Sequence, residues 1–289
     1  WGHIGMTNRD MLHSGILPHH TKWVSLFENL KYIVIDELHT YKGVFGSHVA
    51  HVIRRLLRIC EFYGSKPIFI CTSATIKNPK ELAESLTNSK HELIEKSGAP
   101  VGKKTFIFYN PPIVHPTFGV RRSAVLEVRD ISKRLFEAGI QTIIFAKSRV
   151  RVEMLVTYLK SLTSKKIMDE SIQGYRGGYL PSERREIEKG LRSGSIQMVV
   201  STNALELGVD IGQLQACIMT GYPGNIASAW QQAGRAGRRQ DEALIVYVAQ
   251  STALDQYVVQ NPSYLLGSSP EEARINPENI LILMEHLKC

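Results

Sequence analysis

Several things are missing from these 289 residues. No run of about eighteen uncharged apolar residues occurs, which argues against a membrane-spanning helix and leaves no membrane partner to expect. Cysteine is scarce: Cys60, Cys71, Cys217 and Cys289 form no C-x-x-C pair, so a zinc site within the chain lacks its usual ligands. Cys60 and Cys71 sit in apolar surroundings and read as buried free thiols in a reducing cytosol, which sets the expected location as cytoplasmic. The opening WGHIGMTNRD has neither the basic start nor the apolar core of a secretion signal, and no initiator methionine. An excerpt from a longer chain is expected. No internal repeat is visible. A phosphate loop is also missing. In SGAPVGKKT (97–105), three residues separate Gly98 from Gly102 where four are needed, and Lys104 occupies the hydroxyl position. That stretch runs into TFIFY, a strand pattern where a helix is required, and reads as a basic loop.

What is present describes a soluble globular chain, 43% hydrophobic and 21% charged, long enough for two domains. A net charge of +8 favours a polyanionic partner, nucleic acid first. Tyr32–Ile35 is a continuous apolar run that predicts a strand buried on both faces. Asp36 and Glu37 follow it directly, where open α/β sheets bind ligands. Ser47 is a plausible cap for a helix in which Val49, Val52, Ile53, Leu56, Leu57 and Cys60 recur at helical spacing, stopped by Gly64 and Pro67. Ile68–Cys71 predicts a second buried strand, and Asn78-Pro79 a helix through Leu86. NPPIVHPTF (110–118) has three prolines and reads as a linker. Beyond it, helices at about 123–138, 149–160 and 181–192 alternate with strands at 141–146, 197–201, 216–220 and 244–248. Alternation of this kind predicts parallel α/β layers.

Four constellations carry chemistry. In Asp36-Glu37-Leu38-His39 one acid can hold a cation, its neighbour can polarise water, and the imidazole can donate on one side and accept on the other. The plain alternative is a strand end whose acids face solvent. Ser73-Ala74-Thr75 places two hydroxyls at a strand end, which can bridge to a carboxylate or merely cap a helix. Ser201–Asp210 mixes hydroxyl, amide, glycine and acid after a buried strand. There Thr202 and Asn203 can touch a sugar–phosphate backbone, or only cap a turn. In Gln231–Arg239 glycines alternate with arginines, whose planar forks suit phosphate; the alternative is a basic loop acting through charge alone.

In this order the four resemble a superfamily 2 DExH-type helicase motor. Asp36–His39 is similar to the DExH motif, Ser73–Thr75 to S-A-T, Thr202–Asp210 to motif V, and Gln231–Arg238 to Q-x-x-G-R-x-G-R of motif VI. Thr7–Leu12 is similar to motif Ib. The wording DELHTYKGVFGSHVAHVIRRL, NALELGVDIG and GYPGNIASAWQQAGRAGRR resembles the bacterial YprA-type (mitomycin repair) DNA helicases, with RecQ-like relatives. The resemblance implies an α/β fold of two RecA-like domains, the first N-terminally truncated, with ATP between them. Expected spans are 1–109 for the first, 110–120 for a linker, 121–262 for the second and 263–289 for the start of an accessory helical segment. It implies Mg²⁺ at Asp36 with Glu37 beside it activating water. His39 and Gln231 would couple the domains, and Arg235 and Arg238 would meet the γ-phosphate. Ser73, Thr75, Gly208 and Asp210 would face the nucleotide. Thr7, Asn8, Arg9, Lys147, Ser148, Arg149, Thr202 and Asn203 would contact DNA, single-stranded or partly duplex. The phosphate loop is expected upstream of Trp1, and accessory and metal-binding domains beyond Cys289. Function is then DNA translocation and unwinding in repair, 3′ to 5′ by resemblance. An RNA helicase and a non-catalytic nucleic-acid-binding fragment are the alternatives.

Overall fold

The computed structural model describes residues 3–74, 76–96, 98, 102–161, 168–206, 209, 211–212, 214–237 and 242–288. They divide into two compact units, Trp1–Ser97 with Ser269–Cys289, and Gly98–Ser268. In the first, a short turn α1 (Arg9–Met11) is capped by Asn8, whose side-chain oxygen accepts from the Met11 amide at 2.8 Å. Then come α2 (Val24–Glu28), β1 (Tyr32–Ile35), α3 (Gly43–Phe62), β2 (Ile68–Cys71) and α4 (Pro79–Thr87). β1 and β2 pair in parallel, Tyr32 opposite Ile68 through Ile35 opposite Cys71. The helical spacing read in α3 serves two cores. Val49, Ala50 and Ile53 pack with Ile35, Leu38, Leu82 and Leu86, while Val52, Leu56 and Cys60 pack with Ile16, Leu17 and Phe27.

Three expectations fail here. β2 is not a buried strand, with Ile68 and Ile70 61% and 47% exposed. β1 is not buried on both faces: Ile35 is 8% exposed, but Tyr32 and Val34 are 59% and 63% exposed. A β-branched run specifies a strand, whereas two-sided burial needs a covering layer that the local pattern does not encode. Ser47 is not a cap, because α3 begins at Gly43. Ser47 lies one turn inside, donating to the Gly43 carbonyl at 2.9 Å and accepting the Asn276 amide at 2.9 Å. Gly46 is a contact point: a Cβ there would stand 2.5 Å from Ile275 and 2.6 Å from the Tyr41 carbonyl.

In the second unit the order is β3 (Lys104–Tyr109), β4 (Ile113–His115), β5 (Val120–Arg121), α5 (Ala124–Glu137), β6 (Thr142–Phe145) and α6 (Arg149–Ser161). There follow α7 (Met168–Ser171), β7 (Ile172–Tyr175), α8 (Pro181–Ser193), β8 (Met198–Ser201), β9 (Ala216–Thr220), α9 (Ile226–Ala233), β10 (Ala243–Val248), α10 (Ala253–Gln260) and α11 (Pro262–Leu266). Its sheet runs β3-β10-β9-β6-β8-β7, with every neighbouring pair parallel. Alternate strand residues serve opposite faces. Ile143, Val199, Cys217, Ile245 and Tyr247 face a core shared with Ile187 and Leu191 of α8 and Ile226, Ala229 and Ala233 of α9. Ile144, Val200, Ile218 and Val246 face Val128 of α5 and Val152, Leu155 and Leu159 of α6. Helices on both faces of a parallel sheet make this a doubly wound α/β unit. Burial pushes the Cys71 thiol in the first unit up to about 11 and that of Cys217 here higher still, so neither is a ready nucleophile.

The expected domain boundaries shift for the same long-range reason. Lys104–Tyr109 belongs to the second unit, pairing residue by residue with Ala243–Val248, and Phe106 lies edge-on to Trp230 with centroids 5.4 Å apart. The proline-rich stretch contains a small antiparallel hairpin, β4 with β5. After residue 268 the chain rejoins the first unit. The Asn78 side chain makes a two-way amide pair with Ala273, both bonds 2.9 Å, and the Gly43 amide donates to the Arg274 carbonyl at 2.7 Å. A final helix, α12 (Ile280–Leu287), brings His286 against α3.

That contact gathers His13, His48, His51, Arg55 and His286. His48 Nδ1 and His286 Nε2 are 3.0 Å apart, His51 stacks on His286 at 5.0 Å, and Arg55 donates to His13 Nδ1 at 2.9 Å. Asp10 and Glu285 line the adjoining cavity. Burial, then the positive potential of His51, His48, His13 and Arg55, lowers His286 to about 4. Its folded pKa lies below its ordinary value, so undocked chain takes the proton more readily. The contribution is complete above about pH 6.5 and is lost as pH falls towards 4. Thermal midpoints of wild type should fall more steeply between pH 7.5 and 5 than those of His286→Gln. Parallel profiles would show that His286 is not the titrating group.

Candidate functional site

In the first unit the candidate site is built at the carboxyl end of β1. Asp36 is exposed, and its Oδ1 accepts the Glu37 amide at 2.9 Å and the hydroxyl of Thr72, the residue following β2. Asp36 Oδ2 has no partner among the described residues. Glu37 has φ +54, a left-handed conformation that costs a non-glycine residue roughly 1–2 kcal/mol. The turn is held from both sides. The Thr72 amide donates to the Ile35 carbonyl at 2.9 Å, the Leu38 amide to the Thr72 carbonyl at 2.8 Å, and the Thr40 amide and hydroxyl to the Glu37 carbonyl at 2.9 and 2.8 Å. Strain kept in place by such framing marks a position where the side chain's placement matters.

His39 is buried at 9% exposure. Its Nδ1 accepts the Ala74 amide at 3.2 Å and lies 3.4 Å from Glu37 Oε2. An amide can only donate, so the Nδ1 lone pair belongs to Ala74 and the ring proton sits on Nε2. The Glu37 contact therefore becomes an ion pair only if the ring protonates. The structure thus brings Asp36, Glu37, His39 and the Ser73-Ala74 segment together. Ser73 itself donates to the Ala74 carbonyl at 2.8 Å. Thr72, one residue before the motif, is the member that sequence reasoning missed. Thr72→Val keeps the shape and removes the hydroxyl, and should speed amide exchange at Glu37, whose N–H is held by Asp36, about tenfold. Unchanged exchange would show that Asp36 does not need this anchor.

Among the expected nucleic-acid contacts of this unit, Asn8 caps α1 and Thr7 donates to the Asn8 carbonyl at 3.2 Å. The Arg9 guanidinium lies 3.8 Å over the Phe45 ring, and Phe45 stacks on Tyr41 at 5.7 Å. Burial raises the Tyr41 phenol, opposed by Arg9 and assisted by the Asp36 charge.

In the second unit the expected site residues lie at the carboxyl ends of the strands. Glu206 is 7% exposed, and its carboxylate accepts Ser228 Oγ at 2.7 Å and Gln232 Nε2 at 2.9 Å. Arg235, 8% exposed, donates from Nε and Nη2 to the Glu206 carbonyl at 2.9 and 2.6 Å, and from Nη1 to the Val209 carbonyl at 2.8 Å. Arg235 thus stitches the motif VI segment to the motif V segment, a task its expected phosphate contact did not foresee. Gln231, half-buried on α9, sits beside Gln232. Glu206 and Gln232 were not anticipated; an acid inside ALELGVD and a second glutamine in the QQ pair were the available signals.

Thr202 caps the turn Asn203–Leu205, accepting the Ala204 amide at 3.4 Å, and Asn203 is exposed. Ser148 accepts the Arg151 amide at 3.3 Å. Lys147, Ser148 and Arg149 are exposed after β6. Thr75, Gly208, Asp210 and Arg238 lie outside the described residues.

Residues 2–82 match the DEAD/DEAH box helicase family and residues 127–240 the helicase conserved C-terminal domain family. The chain is 68% identical to the uncharacterized ATP-dependent helicase YprA of Bacillus subtilis, covering all of this chain and 38% of that protein. It is 40% identical to the ATP-dependent helicase HRQ1 of Saccharomyces cerevisiae, over 98% of this chain and 27% of that one. Among solved structures it is similar to the helicase MrfA bound to DNA, with TM-score 0.97 at 68% identity over 100% of this chain and 38% of that one. MrfA bound to DNA and AMPPNP gives TM-score 0.96 at 68% identity, over 100% of this chain and 40% of that one. The chain therefore spans about two fifths or less of the length of these relatives. On its motifs, its fold and these likenesses, the chain belongs to the YprA-type group of superfamily 2 helicases.

Proposed function

We propose that this chain is the motor portion of an ATP-dependent DNA helicase, in which ATP hydrolysis drives movement along single-stranded DNA and separation of duplex. The observation that carries the reading is the acid pair at the end of β1. Asp36 is anchored by Thr72, Glu37 is held in a strained turn, and buried His39 lies beside it. A strand end so framed suits water activation next to a phosphate. Mg²⁺ fits Asp36, whose Oδ2 carries no bond from the described residues, with Glu37 beside it; when bound, it would neutralise phosphate charge. Glu37 takes the proton of the attacking water. His39 and Gln231 belong to the same proposed catalytic set, and Arg235 and Arg238 are the groups that would meet the γ-phosphate. Ser73, Thr75, Gly208 and Asp210 complete the nucleotide contacts.

DNA is favoured over RNA because two similar structures of MrfA are DNA complexes. Thr7, Asn8, Arg9, Lys147, Ser148, Arg149, Thr202 and Asn203 form its track, and the resemblance assigns 3′ to 5′ movement and a role in repair. Full-length protein should open a DNA duplex with a 3′ single-stranded tail in ATP, and fail to open it with AMPPNP. Opening of tailed RNA but not DNA would overturn the choice of nucleic acid. Residues 1–289 contain no phosphate loop, and this stretch alone should turn over ATP at background rate; turnover at the full-length rate would refute this account of its phosphate binding.

A further inference from the structure

We infer that Asp255 is a positioning residue for nucleic-acid binding, holding the Lys147 ammonium at the carboxyl end of the second unit's sheet, where it meets a backbone phosphate. The inference rests on the nucleic-acid reading above and extends it to a residue outside every motif.

Asp255 stands in the first turn of α10 and is 1% exposed. Its Oδ1 accepts the Tyr222 amide at 2.6 Å and the Tyr247 hydroxyl at 2.5 Å, and its Oδ2 accepts the Thr252 hydroxyl at 2.6 Å. Three donors compensate the burial of the charge. The Tyr247 phenol is correspondingly raised, by burial first and then by this bond to the carboxylate. Lys147 is not needed to solvate the acid, yet its Nζ lies 3.6 Å from Oδ2 with the side chain 38% exposed. That separation is longer than a hydrogen bond but short enough for Coulomb attraction to tether the ammonium. The ammonium's three N–H groups therefore remain available to a phosphate.

The carboxylate draws on several strand ends at once: Lys147 follows β6, Tyr222 follows β9, and Tyr247 lies on β10. A brace runs beside it, Arg151 Nη1 to Gln250 Oε1 at 3.0 Å and Gln250 Nε2 to the Thr220 carbonyl at 2.8 Å. Gly221, at φ +81, lets the loop cross this cluster; a Cβ would stand 2.7 Å from Gln250 Nε2 and 3.1 Å from Asp255 Oδ1. A neutral acceptor could satisfy Tyr222, Tyr247 and Thr252. Only an anion also fixes a lysine.

The test is binding of fluorescein-labelled single-stranded DNA to the full-length protein, by anisotropy across a KCl series. Lys147→Ala should weaken binding about tenfold and lower the salt slope by about 0.7, one single-strand phosphate contact. Asp255→Asn should weaken it about fivefold with the same loss of slope, and the double variant should bind no more weakly than Lys147→Ala. Tyr247→Phe disturbs the same carboxylate but keeps its charge, and should leave affinity and slope within twofold. The inference fails if Asp255→Asn leaves binding unchanged or tightens it, or if the two losses multiply. It also fails if Lys147→Ala is silent, or if Tyr247→Phe loses as much as Asp255→Asn. Those failures leave the nucleic-acid reading standing, whereas absence of DNA binding by wild type removes both.

Discussion

Glu37→Gln in the full-length protein should reduce DNA-stimulated ATP hydrolysis by about 10²–10⁴-fold, the range expected when a general base is removed, while ATP affinity stays within a few-fold. The reasoning is specific to this position. Asp36 is bonded through one oxygen to Thr72 and to the Glu37 amide, which suits a fixed ligand. Glu37 bonds through its backbone, and among the described residues its carboxylate lies 3.4 Å from His39 Nδ1. Glutamine keeps the size and the turn but cannot take a proton. Single-turnover hydrolysis and equilibrium binding of a fluorescent ATP analogue separate the two quantities. A variant that still hydrolyses ATP at a tenth of the wild-type rate would remove Glu37 from the role of base. A loss of ATP affinity matching the loss of rate would make it a ligand instead.

The second large effect concerns Arg235. Arg235→Lys preserves the charge but cannot reach both carbonyls, each now fixed by the guanidinium fork. Leaving a buried carbonyl unsatisfied costs about 1–3 kcal/mol, and the second unit should lose roughly that much stability. The loss should appear as faster amide exchange in Ala216–Thr220 and Ile226–Ala233, measured without nucleotide. An arginine whose sole task is to meet phosphate predicts normal exchange and a purely kinetic defect. Normal exchange would therefore contradict the stitching of motif VI to motif V.

Much of this layout was legible in the letters. The strands at 142–145, 198–201, 216–220 and 243–248 follow from apolar runs, and the acids at 36 and 37 stand out by following one directly. What stayed hidden depends on partners far along the chain. Lys104–Tyr109 reads as a strand, but only its pairing with Ala243–Val248 assigns it to the second unit. Ala273 reads as part of an irregular tail, and only its amide pair with Asn78 returns it to the first core. Thr72 looks like a strand-end hydroxyl until Asp36 is placed opposite it. Locally Asp255 is the acid three residues after the helix cap Thr252, and what the letters hide is that its other donors arrive from residues 222 and 247. The exposed faces of Tyr32 and Val34 show the reverse limit, where a pattern that specifies a strand overstates what covers it.

Under the proposed function this chain forms part of a motor that moves along DNA while hydrolysing ATP. The most direct measurement is the steady-state ATP hydrolysis rate of the full-length protein against single-stranded DNA length, at saturating DNA. A translocating motor spends more time per binding event on longer strands, so the rate should rise with length to a plateau and vanish in Glu37→Gln. A rate independent of length, or equal with and without DNA, would contradict it.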